Sequence, residues 1–477
     1  MQDDWRVSRR LTLNLGLRYE LNTRYSDVQN RLTLFDPAFP GGRLLIAGGN
    51  KAWVPSPAPA VVDSGVNTPR GLLPNDANNW APRVGLAFRP HGDSRMAIRL
   101  SYGIFYDIVE LQDIRTFVRN PPFGEVIDLR GDANANSNSS AALRVTELFP
   151  ERGSPRSRPG VFGMFGKYPD SYYQQWNLAV QRALRGSTAV EAGYIGSKGT
   201  RLAQRLNLNQ ARLDADPSRP TPILSRRPFP LFGDSIRLTD NGANSTYHAG
   251  FVKVERRFSS GFSYLGSYTF AKALDAASLI DDQPRDINNL RLNKGRSGFD
   301  IRHRIVFSGS WELPFGKGRR FANASGWLDL LIGGWQSNAV AQWRSGFPFS
   351  VFAGIDSCNC GASSQLAQQV GDPRTGFARS IDQWFNPGAF ARPTAGTFGS
   401  SGRNILDGPS QISFDLSLFK VFRLSERSTL QFRAEAFNVF NNTPFNQPGS
   451  TVGTPTYGLI QSAGDPRAIQ LALKLRF

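Results

Sequence analysis

Few residue patterns in this sequence could do chemistry, and each lacks a partner that the chemistry needs. Gly196-Ser197-Lys198-Gly199-Thr200 comes nearest to a phosphate-binding loop. Such a loop needs G-x-x-x-x-G-K-[ST] between a strand and a helix, so that backbone N–H groups and the lysine converge on the anion. That spacing is not met, and the stretch reads as the mouth of an outside loop. His91, His248 and His303 are scattered, with no carboxylate at ligand spacing to make a metal set. Asp281, Asp282 and Asp286 lack the dense oxygen pattern of a calcium loop and read as a solvated acidic loop. Cys358 and Cys360 are the only thiols, too few for a four-ligand zinc site or a disulfide framework. A small loop disulfide and two independent thiols both remain open. No Ser/His/Asp or Cys/His constellation points to nucleophilic catalysis. The expectation is a protein that is not an enzyme and uses no cofactor or metal. Its net charge of +18 comes from 56 Lys and Arg that do not cluster, the densest groups being Arg256-Arg257 and Lys317 to Arg320. Dispersed cations of this kind fit loops and a wet interior rather than a nucleic-acid footprint. What remains is a set of charged residues embedded in alternating segments: Arg18, Arg99, Glu191, Arg304, Glu312, Arg433, Glu435 and Lys474.

The elements that carry these residues are legible from period-two alternation. The last ten residues set the pattern. Ile469, Leu471, Leu473, Leu475 and Phe477 share one parity, and Gln470, Ala472, Lys474 and Arg476 share the other. In a strand this gives one apolar face and one polar face. The same alternation recurs near 10–20, 84–88, 96–104, 173–184, 188–194, 247–258, 262–270, 304–313, 335–344, 412–418 and 430–435. The connections alternate long and short along most of the chain, the stretch 314–334 being longer than that rhythm wants. Asn134 to Ser140 is too polar to pack a core. Leu328 to Trp335, the most apolar patch, is too short and Gly-interrupted to cross a membrane as a helix. Sandwiches do not force their loops to alternate in length, whereas a transmembrane barrel has tight turns at one end and long loops at the other. The fold class expected is therefore all-β: a transmembrane antiparallel up-and-down β-barrel spanning residues 1–477, with about 12 strands, an even count and its C-terminus on the short-turn, periplasmic side. Tyr19, Tyr102, Tyr106, Trp176, Tyr194, Trp311, Trp335 and Phe477 fall at or near strand ends, where an interfacial girdle would place them. The eight charged residues would then line the interior.

With these elements in view, the sequence resembles a known family. Gln2-Asp3-Asp4-Trp5-Arg6-Val7 followed by Leu11-Thr12-Leu13-Asn14-Leu15-Gly16-Leu17-Arg18-Tyr19-Glu20 is similar to the barrel of TonB-dependent outer-membrane receptors, in particular their Oar-like branch. So are Tyr102 to Asp107, Gly193 to Thr200, Gly266 to Lys272, Trp311 to Gly318 and Phe432 to Asn441. The resemblance implies a location in the bacterial outer membrane and part of a larger barrel of 22 strands. It implies a plug and a TonB-contacting segment upstream, neither of which this sequence shows. Met1 to Trp5 carries no basic-then-apolar leader, and the chain reads as the C-terminal part of a longer receptor. The implied partners are outer-membrane lipid, the barrel-assembly machinery, for which Phe477 resembles the C-terminal signal, an unknown extracellular ligand, and the TonB system through the upstream parts. The alternative is a structural or adhesive surface barrel without active transport.

Overall fold

The computed structural model describes residues 2–49, 62–63, 68–90, 95–124, 160–165, 167–323, 325–361 and 365–477. A fifteen-stranded sheet dominates it. Thirteen strands follow one another in chain order, each antiparallel to the last. They are β1 (Gln2–Arg6), β2 (Leu11–Asn22), β3 (Asp76–Phe88), β4 (Met96–Tyr106), β5 (Tyr172–Ala183), β6 (Thr188–Asn207), β7 (Ile236–Ser259), β8 (Phe262–Asp275), β9 (His303–Glu312), β10 (Trp335–Arg344), β11 (Gln411–Arg423), β12 (Thr429–Phe437) and β13 (Ala468–Arg476). Two short pieces, Val161–Met164 and Gly295–Arg296, pair with the loop-side ends of β7 and β8. No helix among the described residues is long and apolar enough to cross a membrane.

Register converts local alternation into two continuous faces. Antiparallel partners point to the same side, and a slip of one residue would turn a whole strand over. Arg18 lies opposite Ala81, Ala87 opposite Arg99, Gln181 opposite Glu191, Thr269 opposite Arg304, and Arg433 opposite Ala472. Followed strand by strand, these pairings put all eight expected interior residues on one face. The other face carries Leu15, Leu17, Tyr19, Val84, Leu100, Leu178, Val252, Tyr268, Ile305, Trp311 and Ile412, all exposed. The aromatics of the expected girdle lie on this apolar face, except Phe477, which sits just beyond β13.

The strand layout corrects the sequence reading in four places. Thirteen strands replace about twelve, because Gln2–Arg6 forms a short edge strand on β2. An even count is not required here, because the sheet is open: β1 pairs only with β2, and β13 only with β12. Strands β6 and β7 run well past the sequence boundaries, pairing up to Asn207 and Arg237 through irregularities near Leu202, which narrows the third long connection to 208–235. Gly196 to Thr200 is not a loop mouth. It is the middle of β6, paired on both sides, and the Trp176 indole lies across Gly196 so closely that a Cβ there would sit 2.3 Å from the ring. The ring fills the space that the glycine leaves. His91 and the polar run Asn134 to Ser140 lie outside the described residues.

Burial is inverted relative to an ordinary globular domain. The largest fully buried side chains include Phe35, Phe117, Phe232 and Phe385, and none of these is in a strand of the meander. They lie in four of the six long connections, which are 23–75, 107–171, 208–235, 276–302, 345–410 and 438–467. At the opposite end the connections are the tight turns 7–10, 184–187, 260–261 and 424–428, the short link between β3 and β4, and the longer segment 313–334. Leu471, on the apolar face of β13, is 68% exposed. Leu471→Arg is expected to block insertion, because a charge on the lipid side near the midplane costs about 2–4 kcal/mol. Ala472→Arg, on the polar face, is expected to be far milder. Heat-modifiability on gels reads the difference, and equal tolerance of both would overturn the assignment of faces.

Candidate functional site

The charges of the polar face are satisfied partly along their own strands and partly by partners on neighbouring strands. Arg18 Nε meets Glu20 at 2.8 Å, Lys253 meets Glu255 at 2.8 Å, and Arg433 meets Glu435 at 3.2 Å. Residues two apart on a strand share a face, so this spacing is the natural one for such pairs. Arg99 donates to Gln181 Oε1 at 2.9 Å and Arg304 to Gln342 Oε1 at 3.4 Å. Arg304 and Arg344 lie directly opposite each other, and Arg344 turns to Gln411 Oε1 at 2.6 Å. Glu312 pairs with Arg319 at 3.1 Å, outside the sheet. Glu191 lies opposite Lys253, and Lys474 opposite Gln431. Of the eight, only Arg433 and Glu435 are therefore brought into contact with each other; the others are distributed around the face. Arg83, Lys253, Glu255 and Arg344 share this face and were missed, although their parity in the sequence would have found them. A cavity of 460 Å³ lies on the polar face of β2 to β7, lined by Asn14, Arg83, Ser101, Gln175, Asn177 and Tyr247 among others.

Above the polar face the long connections fold into a cap with its own apolar cores. One gathers Leu32, Leu34 and Leu73 with Ile114, Phe117 and Met164. A second joins Phe35 and Leu44 to Val161, Phe232 and Ile236. A third packs Phe349, Val351, Phe385 and Phe390, with Val452 and Tyr457 against them. Cys358 and Cys360 are joined by a disulfide and packed against Ala211, which settles the two readings left open by the sequence. Each core uses side chains from more than one connection, so the loops form a packed layer rather than six separate excursions.

Arginine–aspartate pairs bind this layer to the sheet. Arg24 meets Asp170 at 2.7 Å, with both side chains almost fully buried, and it also donates to the carbonyl of Tyr168 at 2.6 Å. Asp170 accepts from Asn79 Nδ2 at 2.9 Å. Arg403 holds the Asp275 carboxylate at the top of β8. Arg205 on β6 reaches Asp113 at 3.0 Å and also pairs with Asp281. Asp282 accepts from the backbone N–H of Ser278 at 2.8 Å, and Asp286 from that of Asn288 at 2.8 Å. The acidic group 281–286 is thus occupied by protein donors. His248 and His303 are on the apolar face, their Nδ1 atoms 2.6 Å from the Tyr194 hydroxyl and 2.9 Å from the Tyr268 hydroxyl. Beneath the cap, a cavity of 390 Å³ opens between Asp107, Glu110, Tyr168, Tyr173, Leu202 and Leu279. Burial raises the Tyr168 hydroxyl pKa well above its ordinary value, so it stays protonated and can donate. The arrangement offers hydroxyls, carboxylates and apolar walls to a molecule held by the loops, and no nucleophile paired with a base.

Two outcomes follow from this cap. Asp170→Ala leaves the Arg24 guanidinium buried without its partner, an arrangement that costs about 3–5 kcal/mol. Limited proteolysis is expected to cut connections 23–75 and 107–171 faster while the sheet stays heat-modifiable, and the double variant Arg24→Met/Asp170→Leu is expected to restore most of the resistance. The Asp214 carboxyl is held below the usual range by the Thr221 N–H at 2.6 Å, the Thr221 hydroxyl at 2.9 Å and the nearby Arg226. A depressed folded pKa stabilises above the unfolded value of about 3.9 and is lost as pH falls through the folded one. Exchange of the Thr221 amide is expected to quicken only in strong acid, and to be fast already at neutral pH in Asp214→Asn.

Residues 1–470 match the family described as outer membrane beta barrel domain. No curated protein matches the sequence. Among solved structures, the chain is similar to the outer membrane transporter YddB from Escherichia coli, at 10% identity and a TM-score of 0.48, covering 98% of this chain and 43% of that one. It is also similar to the pyoverdine outer membrane receptor FpvA from Pseudomonas aeruginosa PAO1, at 12% identity and a TM-score of 0.44, covering 100% of this chain and 41% of that one. The siderophore receptor PiuA from Acinetobacter baumannii aligns at 9% identity and a TM-score of 0.41, over 100% of this chain and 42% of its own. The chain thus spans less than half the length of each of these structures. The match over nearly its whole length, on a sheet with one apolar and one polar face, places the chain in the outer-membrane β-barrel domain family.

Proposed function

We propose that this chain is the barrel-forming, C-terminal part of a TonB-dependent, Oar-like receptor that takes up a ligand captured at its long loops. The observation that carries this reading is the asymmetry of the two ends. One end of the sheet bears a packed cap with a cavity beneath it, at the mouth of a polar face; the other bears mostly tight turns. A receptor needs a shaped surface on the side from which its ligand arrives, and a polar path behind it. The motifs from Gln2-Asp3-Asp4-Trp5 to Phe432–Asn441 support the same reading.

In this reading the cap faces the outside, the tight turns face the periplasm, and β13 descends to a periplasmic Phe477 that the barrel-assembly machinery engages. Edges β1 and β13 need partners, because hydrocarbon cannot satisfy unpaired backbone N–H and C=O groups. Strands of a larger, 22-strand barrel would supply them. Ligand capture by the cap would be followed by rearrangement of a plug, driven through TonB by parts of the receptor outside this sequence. The polar face, with Arg18, Arg99, Glu191, Arg304, Glu312, Arg433, Glu435 and Lys474 among its charges, would face that plug or the path of the ligand.

Orientation is tested by single cysteines and a membrane-impermeant maleimide. Val28→Cys is expected to label in intact cells, and Glu426→Cys only after the outer membrane is permeabilised; the reverse overturns the orientation. Transport is tested by disrupting the gene and tonB, singly and together, across ferric siderophores, oligosaccharides and peptides as nutrient sources. The expected result is a shared, non-additive growth deficit on at least one source. A deficit confined to surface attachment, with growth unaffected by the disruption, would replace uptake with adhesion.

A further inference from the structure

The segment 313–334, between β9 and β10, is far longer than the other connections at its end of the sheet. It folds back on itself first. Phe321 N–H donates to the Pro314 carbonyl at 3.0 Å, and the Phe315 and Phe321 rings sit 6.3 Å apart. It then forms a short helix, Trp327–Ile332, none of whose residues is buried. Trp327 is 73% exposed and Leu330 and Leu331 are each 59% exposed. Asp329 Oδ1 accepts from Lys317 N–H at 2.6 Å and joins the two parts. A Cβ on Gly316 would meet that same carboxylate and the Gly333 backbone, so the parts are in close contact.

The place where this helix sits is specific. Its last carbonyls, which have no partner inside the helix, are taken by two side chains of the sheet. Trp335 Nε1 donates to the Leu331 carbonyl at 2.7 Å, and Lys420 Nζ donates to the Leu330 carbonyl. Trp335 and Lys420 are register partners on β10 and β11, and both belong to the apolar face. Lys420 is only 4% exposed, its ammonium lying over the Trp335 and Phe422 rings. A lysine on the lipid side is thereby covered by the helix and spent on fixing it. Through Trp335 and Lys420, the exposed Trp327, Leu330 and Leu331 are held at the turn-side end of the apolar face. The neighbouring bend carries Lys317, Arg319 and Arg320, all exposed.

We propose that the described residues of the connection between β9 and β10 are a lipid anchor: the helix Trp327–Ile332 inserts its apolar side chains at the headgroup–acyl boundary of the adjoining leaflet, and Lys317 and Arg320 engage the phosphates of anionic phospholipid. Its continuity with the lipid-facing band selects the bilayer as occupant, and the pairing of an apolar helix with a basic rim is the chemistry of an interfacial segment. Lys420 and Trp335 are positioning residues. Which leaflet is involved rests on the orientation proposed above, whereas insertion itself rests only on the apolar face being lipid-facing.

The test places an environment-sensitive fluorophore on Leu330→Cys in the full chain, reconstituted into vesicles of phosphatidylethanolamine and phosphatidylglycerol, with Glu426→Cys as the turn control. The position 330 probe is expected to emit to the blue of the control and to be quenched by acyl chains brominated near the headgroup. A probe as water-exposed as the control, or one that is shielded yet insensitive to brominated lipid, overturns insertion. Replacing Lys317 and Arg320 with Gln is expected to reduce quenching in anionic vesicles to the level found with phosphatidylcholine alone. Equal quenching in anionic and zwitterionic vesicles before that replacement overturns the anionic preference. Lys420→Met, which keeps the stem but not the donor, is expected to move the probe to a shallower depth, and unchanged depth overturns the positioning role. Heat-modifiability of each variant shows that the sheet has formed, and the cysteine-labelling pattern of the orientation test separates failure of the anchor from failure of the orientation.

Discussion

Hydrocarbon offers no hydrogen bonds, so every backbone N–H and C=O that enters it must find a protein partner. The antiparallel ladder from β1 to β13 is how this chain meets that demand, and much else depends on it. Once the ladder is in register, side-chain direction is no longer free: residues of one parity share the apolar face across the whole sheet, and residues of the other share the polar face. Several polar groups on the apolar face are covered or paired by their neighbours. His248 and His303 bond to tyrosine hydroxyls beside them. Lys420 is tucked under a helix.

The same constraint explains where the buried core lies. The strands of this sheet turn most of their apolar side chains to the apolar face, and few join a core; Ile236 at the loop-side end of β7 is one that does. The connections must supply their own cohesion. Those at the long-loop end do so with phenylalanines and aliphatics drawn from several loops at once, and with arginines whose planar donors reach backbone carbonyls and carboxylates together. Arg285 is a case in point: it is buried and donates to the carbonyls of Gly399 and Ser401 at 2.8 and 3.0 Å, joining the fourth connection to the fifth.

The alternation of Leu11 to Glu20 and of Ile469 to Phe477, the rhythm of long and short connections, and the placing of eight charged residues on one face were all legible in the sequence. Each depends on a period of two within a single strand, which survives whatever the strand pairs with. The glycine-rich stretch 196–200 was misread for an equally local reason. Glycines near a polar loop resemble a turn until a ring from a neighbouring strand, here Trp176, is known to cover them.

Sequence by itself thus determined the two faces, the strand class and the end at which the loops gather. Only the tertiary structure decided that the sheet is open, that β1 is its edge, and that the loops share cores. The reason is distance along the chain. Arg24 and Asp170 are 146 positions apart, and Arg403 and Asp275 are 128 apart. Nothing local in either member of such a pair marks the other. Which loop meets which is set by the order and tilt of the strands below, and that order exists only once the sheet has formed.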